Sequence, residues 1–454
     1  MEPIVFEFTY GDEHLSSHSG LALIGALLSK TGLKKRLSAT VLRGCKNPVI
    51  SHHDIVYSMT GLLCLGKSYF DAIEPFRSVP FFVKSLGIEQ CPSSVTLRQR
   101  LDVVKSDFDL IIKEESANLI RHKAPRITPV STGVGDYVPL DIDVSPFDNS
   151  KTKKEGVSRT YKGVYGYAPI FAYVGREGYL ANIELREGKQ HCQKDTPEFL
   201  KESIVYAKKV APDKEILARM DSGNDSVENQ AVCHEENVEW LIKRNLRRED
   251  PETWLKLAKD TGEKVSLGKD KTVWHGETFR TVKDFKEPLR IIFAVTERTV
   301  TKKGQSLLIP EIEVETYWTS LPLSPKEIIE LYHGHGECEQ FHSELKTDMD
   351  LERLPSEYFA TNAVVLLLGM LAYNLLRLCG QESLREDNGN ITRRPSYRRK
   401  AGRRRLRTVM QDLIYMACRI TRHARKWRIS FGQYNPWKRV WLNIYTRFRE
   451  PITA

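Results

Sequence analysis

Between Asp136 and Lys243 the polar and apolar residues change period in a definite order, and few folds accommodate that order. Tyr137-Val-Pro-Leu-Asp-Ile-Asp-Val-Ser145 alternates as a strand does, its side chains falling on opposite faces in turn. Ala168–Val174 and Tyr179–Leu185 are two more strand-like runs, parted by Gly175 and Gly178. Thr196–Val210 has helical spacing, Glu215–Asp221 is a short apolar strand, Ser226–Glu236 fits a helix, and Val238–Lys243 reads as a further strand. Three sequential strands, then helix, strand, helix, strand, predict a mixed α/β sheet.

That order is what a ribonuclease H-like core requires, and the rest of the chain arranges itself around it. The 454 residues are enough for two to four domains with a sizeable core. Residues 1–130 read as a helical, DNA-binding N-terminal domain, in which Arg98 and Arg100 lie on a capped helix starting near Pro92. That helix reads equally well as a plain surface helix, since no complete helix-turn-helix pattern accompanies it. The core begins over 131–250, and 251–322 reads as a β-rich insertion with strands at Glu277–Val282, Leu289–Val295 and Ile312–Trp318. Core helices return over 323–380, and 381–454 reads as a basic helical C-terminal region.

The charge is unevenly spread. The chain carries a net +10, and from Ile391 to Ser430 there are 14 Lys plus Arg against a single acid, Asp412. Such density predicts a polyanionic partner, with Arg398, Arg399, Arg403 and Arg404 following a DNA backbone without reading its sequence. Eight cysteines without a C-x-x-C pair fit a reducing, cytoplasmic setting, and the acidic N-terminus does not read as a secretory signal. The apolar run Ala363–Tyr373 is too short for a membrane span and predicts a buried core helix.

The chemistry concentrates at Tyr332-His-Gly-His-Gly-Glu-Cys-Glu-Gln-Phe-His-Ser-Glu-Leu-Lys346. Tyr332, His335, Glu339 and Lys346 sit at offsets 0, 3, 7 and 14. At ~100° per residue they share about 60° of one helical face. Gly334 and Gly336 weaken that helix by roughly 1 kcal/mol each relative to alanine, which predicts a loose turn. Upstream, Asp143 lies in the first predicted strand and Asp221 at the end of the fourth, so their carboxylates can meet at one sheet edge, with Glu339 arriving from the helix. Three convergent carboxylates repel one another unless divalent cations lie between them, and oxygen-only donors favour two Mg²⁺ or Mn²⁺ ions. Asp141 shares a strand face with Asp143, and position alone does not choose between them; Asp143 is preferred because Ser145 follows it in a D-x-S arrangement.

These residues resemble the bacterial insertion-sequence transposases of the DDE type that carry a Y-x2-R-x3-E-x6-K signature, here Tyr332, His335, Glu339 and Lys346. The contexts Leu140-Asp-Ile-Asp-Val-Ser145 and Arg219-Met-Asp-Ser-Gly-Asn-Asp225 match as well, as do Leu351-Glu-Arg-Leu-Pro-Ser356 and Tyr373-Asn-Leu-Leu-Arg377. The resemblance covers about residues 136–380. It implies Asp143, Asp221 and Glu339 as catalytic metal ligands, and Tyr332, His335 and Lys346 on phosphates near a transposon end. It further implies cut-and-paste chemistry on double-stranded DNA, at terminal inverted repeats and at a target, by a homodimer in a bacterial cytoplasm beside the nucleoid. Asp221 and Glu339 are separated by 118 positions that hold an insertion, also a feature of that group. His335 stands where the pattern has arginine, so a side chain mostly neutral near pH 7 replaces a permanent charge.

Two other readings stay open on the sequence. One is an inactive or inhibitory DNA-binding relative. The other is a zinc hydrolase using His335, Glu339 and His342 at helical spacing, which leaves Asp143, Asp221 and the basic end without a role. Trp274 and Trp318 can stack on an unpaired base, although packing within the insertion is the simpler expectation.

Overall fold

The structure, a computed structural model, describes residues 6–45, 48–268, 271–283, 285–300, 305–388 and 402–452. Five strands form the predicted core: β1 (Gly135–Val144), β2 (Ile170–Val174), β3 (Tyr179–Glu184), β4 (Glu215–Met220) and β5 (Glu239–Lys243). They lie side by side as β3-β2-β1-β4-β5. The first three are antiparallel neighbours, while β1/β4 and β4/β5 are parallel. Parallel strands need a crossover between them, and the helices Thr196–Val210 and Val227–Glu235 supply those two crossovers. This is the mixed α/β core that the element order predicts.

The insertion departs from expectation. It opens with a helix, Pro251–Thr261, and contains four strands: β6 (Glu263–Gly268), β7 (Lys271–Arg280), β8 (Leu289–Val300) and β9 (Ser306–Thr319). All four join the core sheet, in the order β5-β9-β8-β7-β6, rather than forming a sheet of their own. The junction is antiparallel, Leu241 facing Thr319 and Lys243 facing Tyr317. Extending the sheet covers the open edge of β5, whose unpaired backbone groups would otherwise invite pairing with another chain. Trp274 and Trp318 are both buried, and the Trp318 indole donates to Asp225 Oδ1 at 2.9 Å, so these rings pack within the protein.

Helix Phe359–Ser383 holds the layers together. It is long and apolar enough to cross a membrane, yet 94% of its apolar window is buried inside the protein. Its polar residues have assigned partners. Asn374 accepts from Leu180 N and donates to Leu180 O at 2.9 and 2.8 Å, pairing with the β3 backbone as a neighbouring strand would. Arg377, fully buried, donates to the Glu344 carboxylate, to the Tyr373 hydroxyl and to Arg404 O. The motif Tyr373-Asn-Leu-Leu-Arg377 is therefore a docking face for the sheet on one side and for the segment carrying Glu344 on the other.

The N-terminal helices pack into the same body. Every residue of helix His52–Cys64 is buried, and Cys64 Sγ approaches Ala372 O of the long helix at 3.9 Å. Helix Ser94–Val104 exposes Arg98 but turns Arg100 inward, onto Ile50 O and the His52 ring at 2.7 and 2.6 Å. Arg100 is thus used to hold a loop. The C-terminal region, expected to be helical, instead contains an antiparallel hairpin, Cys418–His423 with Lys426–Phe431, before helix Lys438–Arg449. The N-terminal strand His14–Ser16 pairs with the hairpin. That partner is over four hundred residues away in sequence, out of reach of any local pattern.

Candidate active site

The parallel pair β1/β4 builds the floor of the site. Asp141 lies opposite Arg219 and Ile142 opposite Met220. Continuing that register by one residue sets Asp143 beside Asp221, at the strand spacing of roughly 4.8 Å. Because side chains alternate, Asp141 and Asp143 share a face, and so do Arg219 and Asp221. The inner pair, Asp141 and Arg219, is buried and joined by two hydrogen bonds, Nε to Oδ1 at 2.6 Å and Nη2 to Oδ2 at 2.7 Å. With both its oxygens committed to a guanidinium, Asp141 is a structural anchor. Asp143, one step nearer the strand end, opens into the cavity.

The roof is the segment Pro325–Asp348, which forms four consecutive helical pieces rather than one uniform helix. A capping box starts it: Ser324 and Glu327 exchange side-chain-to-backbone hydrogen bonds at 3.4 and 3.0 Å. After Pro325–His333 comes a tight 3₁₀ turn, Gly334–Glu337, then Cys338–Ser343, and finally a wider π turn, Glu344–Asp348. The loose turn predicted at the two glycines is this 3₁₀ turn, and Gly334 has a steric reason to be there. A Cβ on it would lie 2.7 Å from Arg219 Nη1, which donates to Leu331 O at 2.8 Å. Arg219 therefore clamps roof to floor while neutralising Asp141.

Asp143, Asp221, Tyr332, His335, Glu339 and Lys346 all line one cavity of about 750 Å³, together with Ser145, Tyr161, Lys162 and His342. Lys346 Nζ donates to Ser145 Oγ at 2.6 Å, which gives the D-x-S arrangement a physical basis. Burial lowers the Lys346 pKa from its usual value. The half-buried Tyr332 packs against Tyr317, ring centroids 4.9 Å apart. Burial, followed by the charge of Asp221, raises its hydroxyl pKa well above the usual value, so it stays a hydrogen-bond donor.

His335 behaves differently from the expected phosphate contact. It is buried, with Nδ1 3.3 Å from Asp141 Oδ1 and 3.6 Å from Cys338 Sγ, so its imidazole joins the anchor even though the residue borders the cavity. Burial disfavours charge on His335, but the hydrogen bond and field of Asp141 prevail and raise its pKa above 6.5. Arg404 is also corrected: only 8% exposed, it pairs with Asp412 and donates to Ser383. Arg403 pairs with Glu344 and donates to Gln340. Both face inward because a buried or half-buried acid awaits each of them. Arg398 and Arg399 lie outside the described residues.

His342 is the residue whose role the spacing pattern understated. Its Nε2 is 3.0 Å from Asp143 Oδ2, and its Nδ1 is 3.1 Å from the Tyr173 hydroxyl. Burial lowers its pKa, against the opposing pull of Asp143, so the neutral ring is favoured: Tyr173 donates to Nδ1 and Nε2–H donates to Asp143. For Asp143, burial is likewise outweighed by the His342 hydrogen bond, which holds its pKa below the usual carboxylate range. For Asp221, burial and then the charge of Asp143 raise the pKa. Two neighbouring carboxylates pushed in opposite directions form an oxygen-lined place where a hard cation relieves both the repulsion and the burial. A signal for Arg219 was present in the sequence: an arginine within the apolar strand Ile-Leu-Ala-Arg-Met calls for a buried acid on a neighbouring strand.

The zinc alternative finds no support in this geometry. Among the described residues, the group whose donor atoms come within 4.8 Å of one another is Asp141, His335 and Cys338. Its carboxylate is already taken by Arg219, and both His342 nitrogens have protein partners.

A family model described as "Transposase DDE domain group 1" matches residues 3–451. No curated protein matches. Among solved structures, a piggyBac transposase synaptic complex with hairpin DNA is 11% identical, over 87% of this chain and 78% of that one, with a TM-score of 0.39.

Proposed function

Because this chain belongs to the transposase DDE domain group 1 family, we propose that it cuts double-stranded DNA at the terminal inverted repeats of a mobile element and joins the freed ends to target DNA. The observation that carries this reading is the placement of Asp143 and Asp221 at the ends of adjacent parallel strands, with Glu339 lining the same cavity. On this reading the enzyme serves a bacterial insertion sequence, acts in the cytoplasm on nucleoid DNA, and works as a homodimer so that two ends are processed together.

Asp143, Asp221 and Glu339 would hold two Mg²⁺ or Mn²⁺ ions, the donor set being oxygen only. When bound, such a pair activates an attacking water or 3′-hydroxyl and stabilises the leaving oxygen. The protein's own groups do the rest. His342, oriented by Tyr173, fixes the rotation of the Asp143 carboxylate. Lys346, poised on Ser145, offers a positive charge to a phosphate entering the cavity, and the Tyr332 hydroxyl offers a neutral donor. Arg219 and Asp141 keep the roof at fixed height above the floor.

The decisive assay uses duplex DNA taken from either side of the gene itself, with Mg²⁺ or Mn²⁺. Wild type should nick it, while Asp143→Ala, Asp221→Asn and Glu339→Gln should each lose at least ~10³-fold in rate, about 4 kcal/mol of barrier. Persistent cleavage by Asp221→Asn, or cleavage supported by Zn²⁺ and not Mg²⁺, would overturn the assignment. A folded wild type that binds these ends without nicking them would instead establish an inactive relative.

A further inference from the structure

Among the described residues, the arginines of the dense basic stretch before Asp412 already have acidic partners. Arg403, Arg404, Arg405 and Arg407 are each ion-paired within the fold, to Glu344, Asp412, Asp348 and Asp348. A guanidinium already paired with a carboxylate must exchange that partner before it can gain from a phosphate.

The hairpin Cys418–His423 / Lys426–Phe431 is different. It carries Arg419, Arg422, Arg425, Lys426 and Arg428 and no acid. All five are exposed, and none takes part in an ion pair among the described residues. Thr421 faces Arg428, His423 faces Lys426, and Arg419 faces Ser430. Cross-strand pairs share a face, so one side of the ribbon is wholly polar or cationic. Its other side carries Arg422 opposite Trp427 towards the tip and anchors the base. Cys418 and Ile420 are buried, and Phe431 meets the Trp441 ring edge-on at 5.0 Å, while His14–Ser16 pairs along the inner strand. The tip turns through Ala424 and Arg425 with φ of 47° and 62°, a left-handed bend that ordinarily favours Asn or Gly. Strain of this kind, held at an exposed tip, points to use of the side chain placed there.

We propose that this hairpin is a DNA-docking ribbon whose cationic face lies on the phosphate backbone of the duplex outside the catalytic cavity. The inference rests on the transposase reading above. A two-stranded ribbon has the dimensions of a major-groove or backbone ligand, and phosphate contacts set position without reading bases.

The test measures duplex binding by the full-length protein across a salt series, with a flanking-DNA duplex and a shuffled duplex of equal length. Replacing Arg425, Lys426 and Arg428 by alanine together should reduce the slope of log K against log salt by about 2.7, at ~0.9 for each phosphate no longer neutralised. Extrapolated from 1 M salt, that slope corresponds to a loss on the order of 100-fold at 0.15 M, equal for both duplexes. Arg425→Lys with Arg428→Lys should retain the wild-type slope, and Arg407→Ala, whose partner is Asp348, should leave it unchanged. An unchanged slope in the folded triple variant, with wild type still binding and cutting DNA, overturns the ribbon alone. Loss of self-association with the slope intact does the same and makes the tip a contact for a second copy. Failure of wild type to bind any duplex at low salt removes both this inference and the transposase reading beneath it.

Discussion

Asp141 and Asp143 are two residues apart on one strand face, and the structure gives them opposite consequences on mutation. Asp141 is buried, with both oxygens on the buried Arg219, so Asp141→Ala leaves a guanidinium without its counter-charge inside the protein. Removing one member of a buried pair typically costs about 3–5 kcal/mol. The same change frees Arg219, whose bond to Leu331 O ties roof to floor. Asp143 lines the cavity and loses only its hydrogen bonds to His342 and to its neighbour's backbone, a cost of about 1 kcal/mol. At ~1 °C per kcal/mol for a chain of 454 residues, Asp141→Ala should lower the thermal midpoint by about 3–5 °C, and Asp143→Ala by about 1 °C. Activity should run the other way. Asp143→Ala abolishes cleavage in a folded protein, while Asp141→Ala retains measurable cleavage at temperatures where it stays folded. Calorimetry or scanning fluorimetry, paired with the nicking assay at low temperature, reads both. A stable but inert Asp141→Ala beside an unstable but active Asp143→Ala would refute the assignment of anchor and ligand.

Three further outcomes follow from particular contacts. Gly334→Ala places a methyl 2.7 Å from Arg219 Nη1, which Asp141 and Leu331 O prevent from moving, and should destabilise by about 1–3 kcal/mol in thermal melts; Gly336→Ala, with nothing within 4 Å, should be neutral or stabilising by up to ~1 kcal/mol. His342→Ala should weaken Mn²⁺ binding by about 10–100-fold, seen in direct metal titration as well as in the metal dependence of nicking, while Tyr173→Phe should give a smaller effect; an unchanged metal affinity contradicts the orienting role. The raised pKa of His335 means its contribution to stability is complete below the unfolded value near 6.5 and fades as pH rises through the folded value, so the stability difference between wild type and His335→Asn should shrink on raising the pH from about 6 to about 9, and a difference that grows instead would contradict the sign.

The strands around Asp143 and Asp221 were readable because alternation and apolar runs report burial locally, and the spacing of Tyr332, Glu339 and Lys346 was readable because helical geometry converts offset into direction. The insertion was readable as β-rich but not as an extension of the core sheet, since the edge it joins is specified by long-range register, Leu241 against Thr319. The basic C-terminal stretch misled for a related reason: charge density counts arginines without their partners, and Asp348, Glu344 and Asp412 claim four of them.

Local pattern was thus sufficient to state the α/β order and the three acids that line one cavity, and the motifs were sufficient for a resemblance to DDE transposases. Folding in three dimensions assigned the roles. It separated a buried anchor, Asp141 with Arg219, from a cavity-facing carboxylate, Asp143, and turned His335 inward while setting His342 against Asp143. Among the described residues, it also left the hairpin's cations without an ion pair while pairing Arg403, Arg404, Arg405 and Arg407. Those distinctions rest on burial and on partners far away in sequence, which a one-dimensional reading does not contain.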